Sequence, residues 1–390
     1  MRLKKLQQRL TKLEQQHLTR RLRCLQSPQQ PEQQIDGQPC VAFCSNDYLG
    51  LANHPALKQA ANIGLERYGV GAGSAHLING HFESHHRLEH ELAEWLNVPQ
   101  TRLFSTGYMA NLALLSTLAG RNDSIIFDKL NHASLLDGAQ LSGARLLRYP
   151  HGDLAAAKKR LQQASGVRVL VTDAVFSMDG DCADLAELGA LAQDYDAWLV
   201  VDEAHSFGVL GEQGRGLFAA QQQPVSERVI RIGTLGKAFG SAGAFIAASE
   251  LVTEALLQTA RPYMFTTAQP PAIAEATRVA LQIIRNQAEH QQRLVCNIQH
   301  LKQGLEHLTA THSQWRLLPS STPIQPLVIG EAANAANLAK LLREQGYLVP
   351  AIRPPTVPKG QSRLRFTLSA EHTADQIEQL LTALQQLSRY

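Results

Sequence analysis

Three short segments carry the residue types that could do chemistry. The run VRVLVT (167–172) leads through Asp173 to Ser177, AWLVVD (197–202) ends in Asp202 and is followed by Glu203-Ala204-His205, and VIRIG (229–233) runs into Thr234-Leu-Gly-Lys237-Ala-Phe-Gly240. Each run is short, apolar and continuous, as a strand covered on both faces must be. In an open α/β sheet, ligands bind beyond the carboxyl ends of such strands. A hydroxyl, a carboxylate beside an imidazole, and a lysine between small residues are therefore expected at one edge.

Lysine is the amine that burial or a neighbouring cation activates towards Schiff bases. Small flanking residues let the backbone approach a ligand closely. Taken alone, Lys237 could equally be a surface lysine in a glycine-rich turn. Asp202 follows four apolar residues, so its carboxylate belongs at the edge of a low-dielectric core and needs a cationic partner. A protonated pyridine nitrogen would serve; so would an arginine, and the carboxylate could instead cap the next helix. Ser105-Thr106-Gly107-Tyr108-Met109-Ala110-Asn111 follows a strand and opens a helix. Its amides could cradle a phosphate, or Ser105 or Thr106 could merely cap the helix. His132, in Asn131-His132-Ala133-Ser134 after SIIFD, is a loop residue or a platform for an aromatic ring.

Two other chemistries fit less well. VDEAH resembles the acidic box of a nucleic-acid helicase and GTLGK resembles a phosphate loop. However, Arg231 stands where that loop needs glycine, Ala238 replaces its magnesium-binding hydroxyl, and the order is reversed. His81, His85, His86 and His90 lie at helical spacing, but no HExxH occurs and Glu83, Glu89 and Glu91 are interspersed. A solvated polar helix face is the expectation there, with no metal site.

The elements that position these residues alternate between apolar runs and helical patterns from about Val41, which predicts an α/β domain. RLFST, SIIFD and GAFIAAS are further strands. Beyond helical patterns from Pro271 to Leu308, the strands IQPLVIG, YLVPAI and RLRFTLS with helices at 332–345 and 373–387 predict a smaller α+β domain. The expected division is an N-terminal arm and linker (1–44), a large domain (45–270), and a connecting helix with a small C-terminal domain (271–390). Leu3, Leu6, Leu10 and Leu13 mark a short amphipathic helix, expected to dock on this chain or a partner subunit. Gln26 to Pro39, rich in glutamine and proline, reads as a linker or exposed loop. No internal repeat is present.

Composition narrows the partners. A net charge of +3 over 390 residues is no nucleic-acid-binding signature. No apolar run is long enough to span a membrane, and the N-terminus lacks the apolar core of a secretory signal. The five cysteines are irregularly spaced, without a CxxC pair, which suits a reducing compartment and predicts a cytoplasmic protein.

With these residues in place, the chain resembles the α-oxoamine synthases, which are aspartate-aminotransferase-like (fold type I) pyridoxal-phosphate enzymes. The resemblance spans nearly the whole chain through SNDYLGL (45–51), STGYMAN (105–111), DKLNHASLLDG (128–138), FSMDGD (176–181), VDEAH (201–205), GEQGRG (211–216), GTLGKAFG (233–240) and FTTAQPP (265–271), in that order. It implies a large domain with a mostly parallel seven-stranded sheet and pyridoxal 5'-phosphate as cofactor. Lys237 would carry the cofactor as a Schiff base and shuttle the substrate proton. Asp202 would pair with the pyridine nitrogen, and His132 would stack on the ring. Ser177 and His205 would flank its phenolic oxygen. Gly107, Tyr108 and Thr234 would surround cofactor and phosphate, with Thr266 and Thr267 reaching it from the partner of a homodimer.

Arg365 would take the amino acid's carboxylate, where a bidentate guanidinium fits. Arg20, rather than Arg21, and Thr356 would face the acyl substrate. Within the family, IQPLVIG and AIRPPTVPKGQSRLRFTLSA point to condensation of L-alanine with a pimeloyl thioester, on coenzyme A or an acyl carrier protein, in biotin synthesis. The alternative is a glycine-using member that makes 2-amino-3-ketobutyrate or 5-aminolevulinate. A transaminase would leave the acyl-transfer loops without purpose, and a non-catalytic subunit should have lost Lys237. Glu203, Ser206 and Phe207 depart from the smaller or shorter residues expected after Asp202, so a different pocket wall beside His205 is anticipated. The loop GAGSAHLINGH (71–81) is less rich in glycine and serine than the family's usual one.

Overall fold

The computed structural model describes residues 2–15, 19, 22–311 and 314–388. Arg20 and Arg21 lie outside these described residues. A seven-stranded sheet forms the centre, built from β3 (Gln100–Phe104), β4 (Ser124–Asp128), β5 (Arg145–Tyr149), β6 (Arg168–Asp173), β7 (Ala197–Asp202), β8 (Val229–Thr234) and β9 (Ala244–Ala248). Its order is β3-β9-β8-β7-β6-β4-β5. Only β9 runs antiparallel to its neighbours, β3 and β8. The expected seven-stranded, mostly parallel architecture is present. β5 escaped the reading of apolar runs because it is an edge strand, with Arg145 exposed at its start and Arg148 exposed between buried Leu147 and Tyr149.

Helices α1 (Arg2–Gln15) and α2 (Pro55–Tyr68) precede the sheet; α3 (Glu83–Leu96), α4 (Gly107–Leu118), α5 (Ala133–Ser142), α6 (Leu154–Gln162) and α7 (Leu185–Asp194) alternate with its strands. Short α8 (Leu217–Ala220) precedes β8; α9 (Glu250–Thr259), α10 (Arg261–Met264), α11 (Pro271–Asn286) and α12 (Glu289–Thr311) follow β9. Apolar side chains on both faces of the sheet are buried, among them Val169, Val171, Val200, Ile230 and Ile232 on one side and Leu170, Leu199 and Val201 on the other. Each such burial stabilises the fold by about 1.5–3 kcal/mol.

α11 packs on α2 and α3. Gly64 permits this approach, since a Cβ there would stand 2.7 Å from the Cα of Ala272. Arg278 on α11 reaches Glu91 on α3 at 2.5 Å.

The C-terminal region holds an antiparallel sheet of β10 (Arg316–Leu317), β11 (Ile324–Gly330), β14 (Ser362–Thr367) and β13 (Ala351–Ile352), covered by α13 (Ala332–Glu344) and α14 (Ala374–Leu387). YLVPAI is not one strand. Pro350 divides β12 (Tyr347–Leu348) from β13, and the two join different sheets. β12 pairs with β2 (Gln38–Ala42), which forms a hairpin with β1 (Glu32–Ile35). The stretch read as a linker is thus largely structured. Asp36 and Gly37, at φ 54° and 77°, make the two-residue turn, a conformation in which Asp-Gly is favoured.

α3 also departs from expectation. His85 is buried; its Nδ1 accepts from the Phe82 amide at 3.1 Å and its Nε2 donates to the Gln269 carbonyl at 2.9 Å. Buried Glu89 takes Arg102 at 3.0 Å and the Leu103 amide at 2.8 Å. Only His86 and His90 occupy a solvated face. On α1, Leu3, Leu6 and Leu10 are exposed, so docking on this chain's own body is not observed.

Candidate active site

The carboxyl ends of β6, β7 and β8 and the starts of α4 and α5 enclose a cavity of about 200 Å³, lined in part by Gly107, Tyr108, His132, Asp202, Thr234 and Lys237. Parallel strands place their ends side by side, so residues 173, 202 and 234 meet although tens of residues separate them. Thr106 caps α4 by accepting from the Met109 amide at 3.1 Å. The amides of Gly107 and Tyr108 begin the helix, where backbone donors lack intrahelical partners and the dipole favours an anion.

Asp202 is 6% exposed. Its Oδ2 accepts from Asn111 at 2.8 Å and its Oδ1 from the Ala204 amide at 3.0 Å. Among the described residues no cation pairs with it directly. Asn111 also donates to Ser134 at 2.8 Å, and Ser134 lies 2.7 Å from Nδ1 of His132. The His132 amide is held by Asp173 at 2.8 Å. One polar chain thus links the imidazole to the carboxylate while leaving the ring exposed. Burial, and then the charge of Asp202, hold the Asp173 carboxyl well above the ordinary range.

Lys237 stands on the opposite side, its Nζ 2.8 Å from Nε2 of His205. Burial lowers the lysine to about 8, against the opposing pull of Asp202 and Asp173. Burial, then the charge of Lys237, keep His205 well below its usual range and therefore neutral. A neutral amine is the form that forms Schiff bases.

The cavity suits pyridoxal phosphate on its donor set. A buried carboxylate with only neutral hydrogen-bond partners awaits a cation, a helix start offers an anion cradle, and a low-pKa amine faces the same space.

Other expected residues fall elsewhere. Ser177 is half-buried outside the cavity lining, and its carbonyl accepts from Nε of Arg365 at 2.6 Å. Arg365 also donates to Thr367 at 2.9 Å and approaches Asn46 at 3.5 Å. Thr356 is exposed in the loop between β13 and β14. Thr266 and Thr267 are away from this chain's own cavity, where Thr267 bridges to Ala75. Glu203 does not form a new pocket wall: it is fully buried in a pair with Arg231 at 2.6 Å.

Asn111, Ser134, Asp173 and Tyr48 were missed as site residues. Asn111, Ser134 and Asp173 sit within or next to the quoted strand-end motifs, which was the available signal. Tyr48 is 157 residues from the His205 it touches.

A family model for class I and II aminotransferases matches residues 38–384. An 8-amino-7-oxononanoate synthase of Pseudomonas fluorescens is 50% identical over 368 residues, covering 94% of this chain and 93% of the relative. Another, of Nitrosomonas eutropha, is 52% identical over 367 residues, covering 93% and 94%. Among solved structures, the 8-amino-7-oxononanoate synthase of Francisella tularensis has a TM-score of 0.77 at 35% identity, covering 90% of this chain and 98% of that one. Sphingomonas wittichii serine palmitoyltransferase has a TM-score of 0.91 at 31% identity, covering 98% and 96%, and SPT has also been solved with PLP. Matched over nearly its whole length by sequence and by fold, the chain belongs to the class I and II aminotransferase family and, within it, to the 8-amino-7-oxononanoate synthases.

Proposed function

We propose that this enzyme condenses L-alanine with a pimeloyl thioester, on coenzyme A or an acyl carrier protein, releasing carbon dioxide and thiol to give 8-amino-7-oxononanoate for biotin synthesis. The observation that carries the reading is the meeting of Lys237, His205, His132 and cation-free Asp202 in one cavity of a chain half identical to enzymes of that name. When bound, pyridoxal phosphate supplies an electron sink for the amino acid's α-carbon.

The chain's own residues then have separable tasks. Asp202 holds the ring nitrogen in its charged form, with Asn111 and the Ala204 amide fixing the carboxylate. The amides of Gly107 and Tyr108, with Thr234, hold the phosphate. His132 would face the ring and His205 would flank its phenolic side, while Ser177 acts by holding Arg365 through its carbonyl. Lys237 binds the cofactor and moves the proton at the α-carbon, its lowered pKa leaving a usable unprotonated fraction near neutrality. Arg365, anchored by Ser177 and Thr367, takes the substrate carboxylate through Nη2 in place of its long 3.5 Å contact with Asn46. Arg20 and Thr356 receive the acyl substrate.

We also propose a cytoplasmic homodimer in which Thr266 and Thr267 complete the partner's site. Exposed Val70, Ile78 and Phe265, near the Ala75–Thr267 bridge, support this assignment, because clustered exposed apolar residues mark interaction surfaces. No described helix is long and apolar enough to cross a membrane.

The test is the visible absorbance of the purified, cofactor-loaded protein, titrated with L-alanine and then pimeloyl thioester, with product identified by mass. A band that responds to alanine and disappears in Lys237→Ala, with turnover down by about 100- to 10,000-fold, is expected. A band that answers glycine but ignores alanine would overturn the substrate assignment.

A further inference from the structure

Tyr48 lies in the loop between β2 and α2 and is fully buried. A buried phenol needs a polar partner. Its hydroxyl is 2.5 Å from Nδ1 of His205 and 3.3 Å from Oδ1 of Asn46. Nε2 of the same imidazole is 2.8 Å from Nζ of Lys237. Hydroxyl, imidazole and amine therefore form one hydrogen-bonded line.

A neutral imidazole carries one hydrogen, so the nitrogen that Tyr48 engages decides what the other offers. If the phenol donates to Nδ1, the hydrogen sits on Nε2 and faces Lys237. If it donates to Asn46, Nδ1 keeps the hydrogen and a lone pair faces the amine. At 2.5 Å the phenol–Nδ1 contact is short for an N–H donor, whose bonds lie near 2.9 Å, and fits an O–H donor, which favours the first arrangement.

We propose that Tyr48 is a positioning residue that locks His205 in the Nε2–H tautomer, so that a donor rather than a lone pair faces the reactive amine of Lys237. The proposal rests on the reading of Lys237 as the reacting group, but the tautomer itself is measurable without cofactor. A donor facing the nitrogen stabilises the neutral amine; a lone pair would stabilise the ammonium. The other charged or titratable groups facing this line are Asp202, Asp173 and Arg365 around Lys237, and Arg365 and His132 around His205. None of them contacts Nδ1 in place of Tyr48.

The experiment uses full-length, cofactor-free protein with nitrogen-15-labelled histidines, the His205 signals being assigned by their loss in His205→Asn. The pH dependence of Lys237 acetylation is followed in parallel by peptide mass spectrometry. In the wild type, His205 is expected to carry its hydrogen on Nε2. In Tyr48→Phe that preference is lost, and the acetylation midpoint of Lys237 rises by about one pH unit, the tenfold effect of one net hydrogen bond. A wild-type hydrogen on Nδ1, or an unchanged tautomer and midpoint in Tyr48→Phe, would overturn the proposal. Should Tyr48→Phe fail to fold, the wild-type spectrum decides alone. Failure to bind pyridoxal phosphate would instead count against the proposed function and leave the tautomer standing.

Discussion

Asp202 and Glu203 are adjacent at the end of β7, both are buried, and the fold treats them in opposite ways. Glu203 receives Nε of Arg231 at 2.7 Å, Oγ of Ser206 at 2.5 Å and the Leu217 amide at 2.6 Å. The guanidinium of Arg231 is itself enclosed by the rings of Phe207 and Phe218, at 4.7 and 5.1 Å. Asp202 receives only the neutral donors Asn111 and Ala204. A buried carboxylate that serves the fold brings its cation with it, because removing charge from water costs several kcal/mol. One without a cation, set in a cavity beside Lys237, is what the proposed pairing with a cofactor's ring nitrogen requires.

Four variants test that contrast. Asp202→Asn removes a charge on which the fold does not depend. Turnover should fall by about 100- to 1000-fold, the scale of losing one preorganised electrostatic contact, while the cofactor-free protein melts no lower than the wild type. A large drop in melting temperature would show that Asp202 is structural after all. Glu203→Ala should do the reverse. It strands Arg231 in the interior and costs about 3–5 kcal/mol of stability, read as a lower denaturant midpoint.

His151 gives an intermediate case, because it is half-exposed and held between two carboxylates. It lies 3.1 Å from Asp128 and 2.8 Å from Asp181. Against burial, which lowers it, those hydrogen bonds push it up to about 10. A histidine raised in the fold contributes stability that is complete below about 6.5 and is lost as pH climbs towards its folded value. The destabilisation caused by His151→Gln should therefore be greatest near pH 6 and should fade towards pH 10, measured by urea unfolding across that range. A pH-independent difference would show that the imidazolium is not the stabilising form. The smallest change is expected for Glu203→Gln combined with Arg231→Met. Replacing a whole buried pair with groups of similar volume is often neutral, so stability should stay within about 1 kcal/mol of the wild type. No such substitution should exist for Asp202 in an active enzyme.

How much of this was legible beforehand depended on the range of each interaction. That Lys237, Asp202, Thr234 and Gly107 line one cavity was readable because an apolar run followed by a polar residue marks a strand end, and strand ends share one edge. The hairpin at residues 32–42 was overlooked although Ile35-Asp36-Gly37-Gln38 carries an Asp-Gly turn, since the surrounding glutamines and prolines suggested a linker. β5 was hidden because an edge strand need not be apolar. The stretch holding His81, His85, His86 and His90 looked solvated, yet His85 on α3 finds both of its partners in the interior.

The sequence by itself determined the alternating α/β architecture, the family, and which strand ends carry reactive groups. Those features follow from local periodicity and from motifs that keep their order along the chain. Only the tertiary structure decided which buried carboxylate would be neutralised from within. It also decided that Asn111 and Ser134 would link Asp202 to His132, and that Tyr48 would meet His205. Such choices turn on which side chains face one another across the fold and on where water is excluded, and neither is set by spacing along the chain.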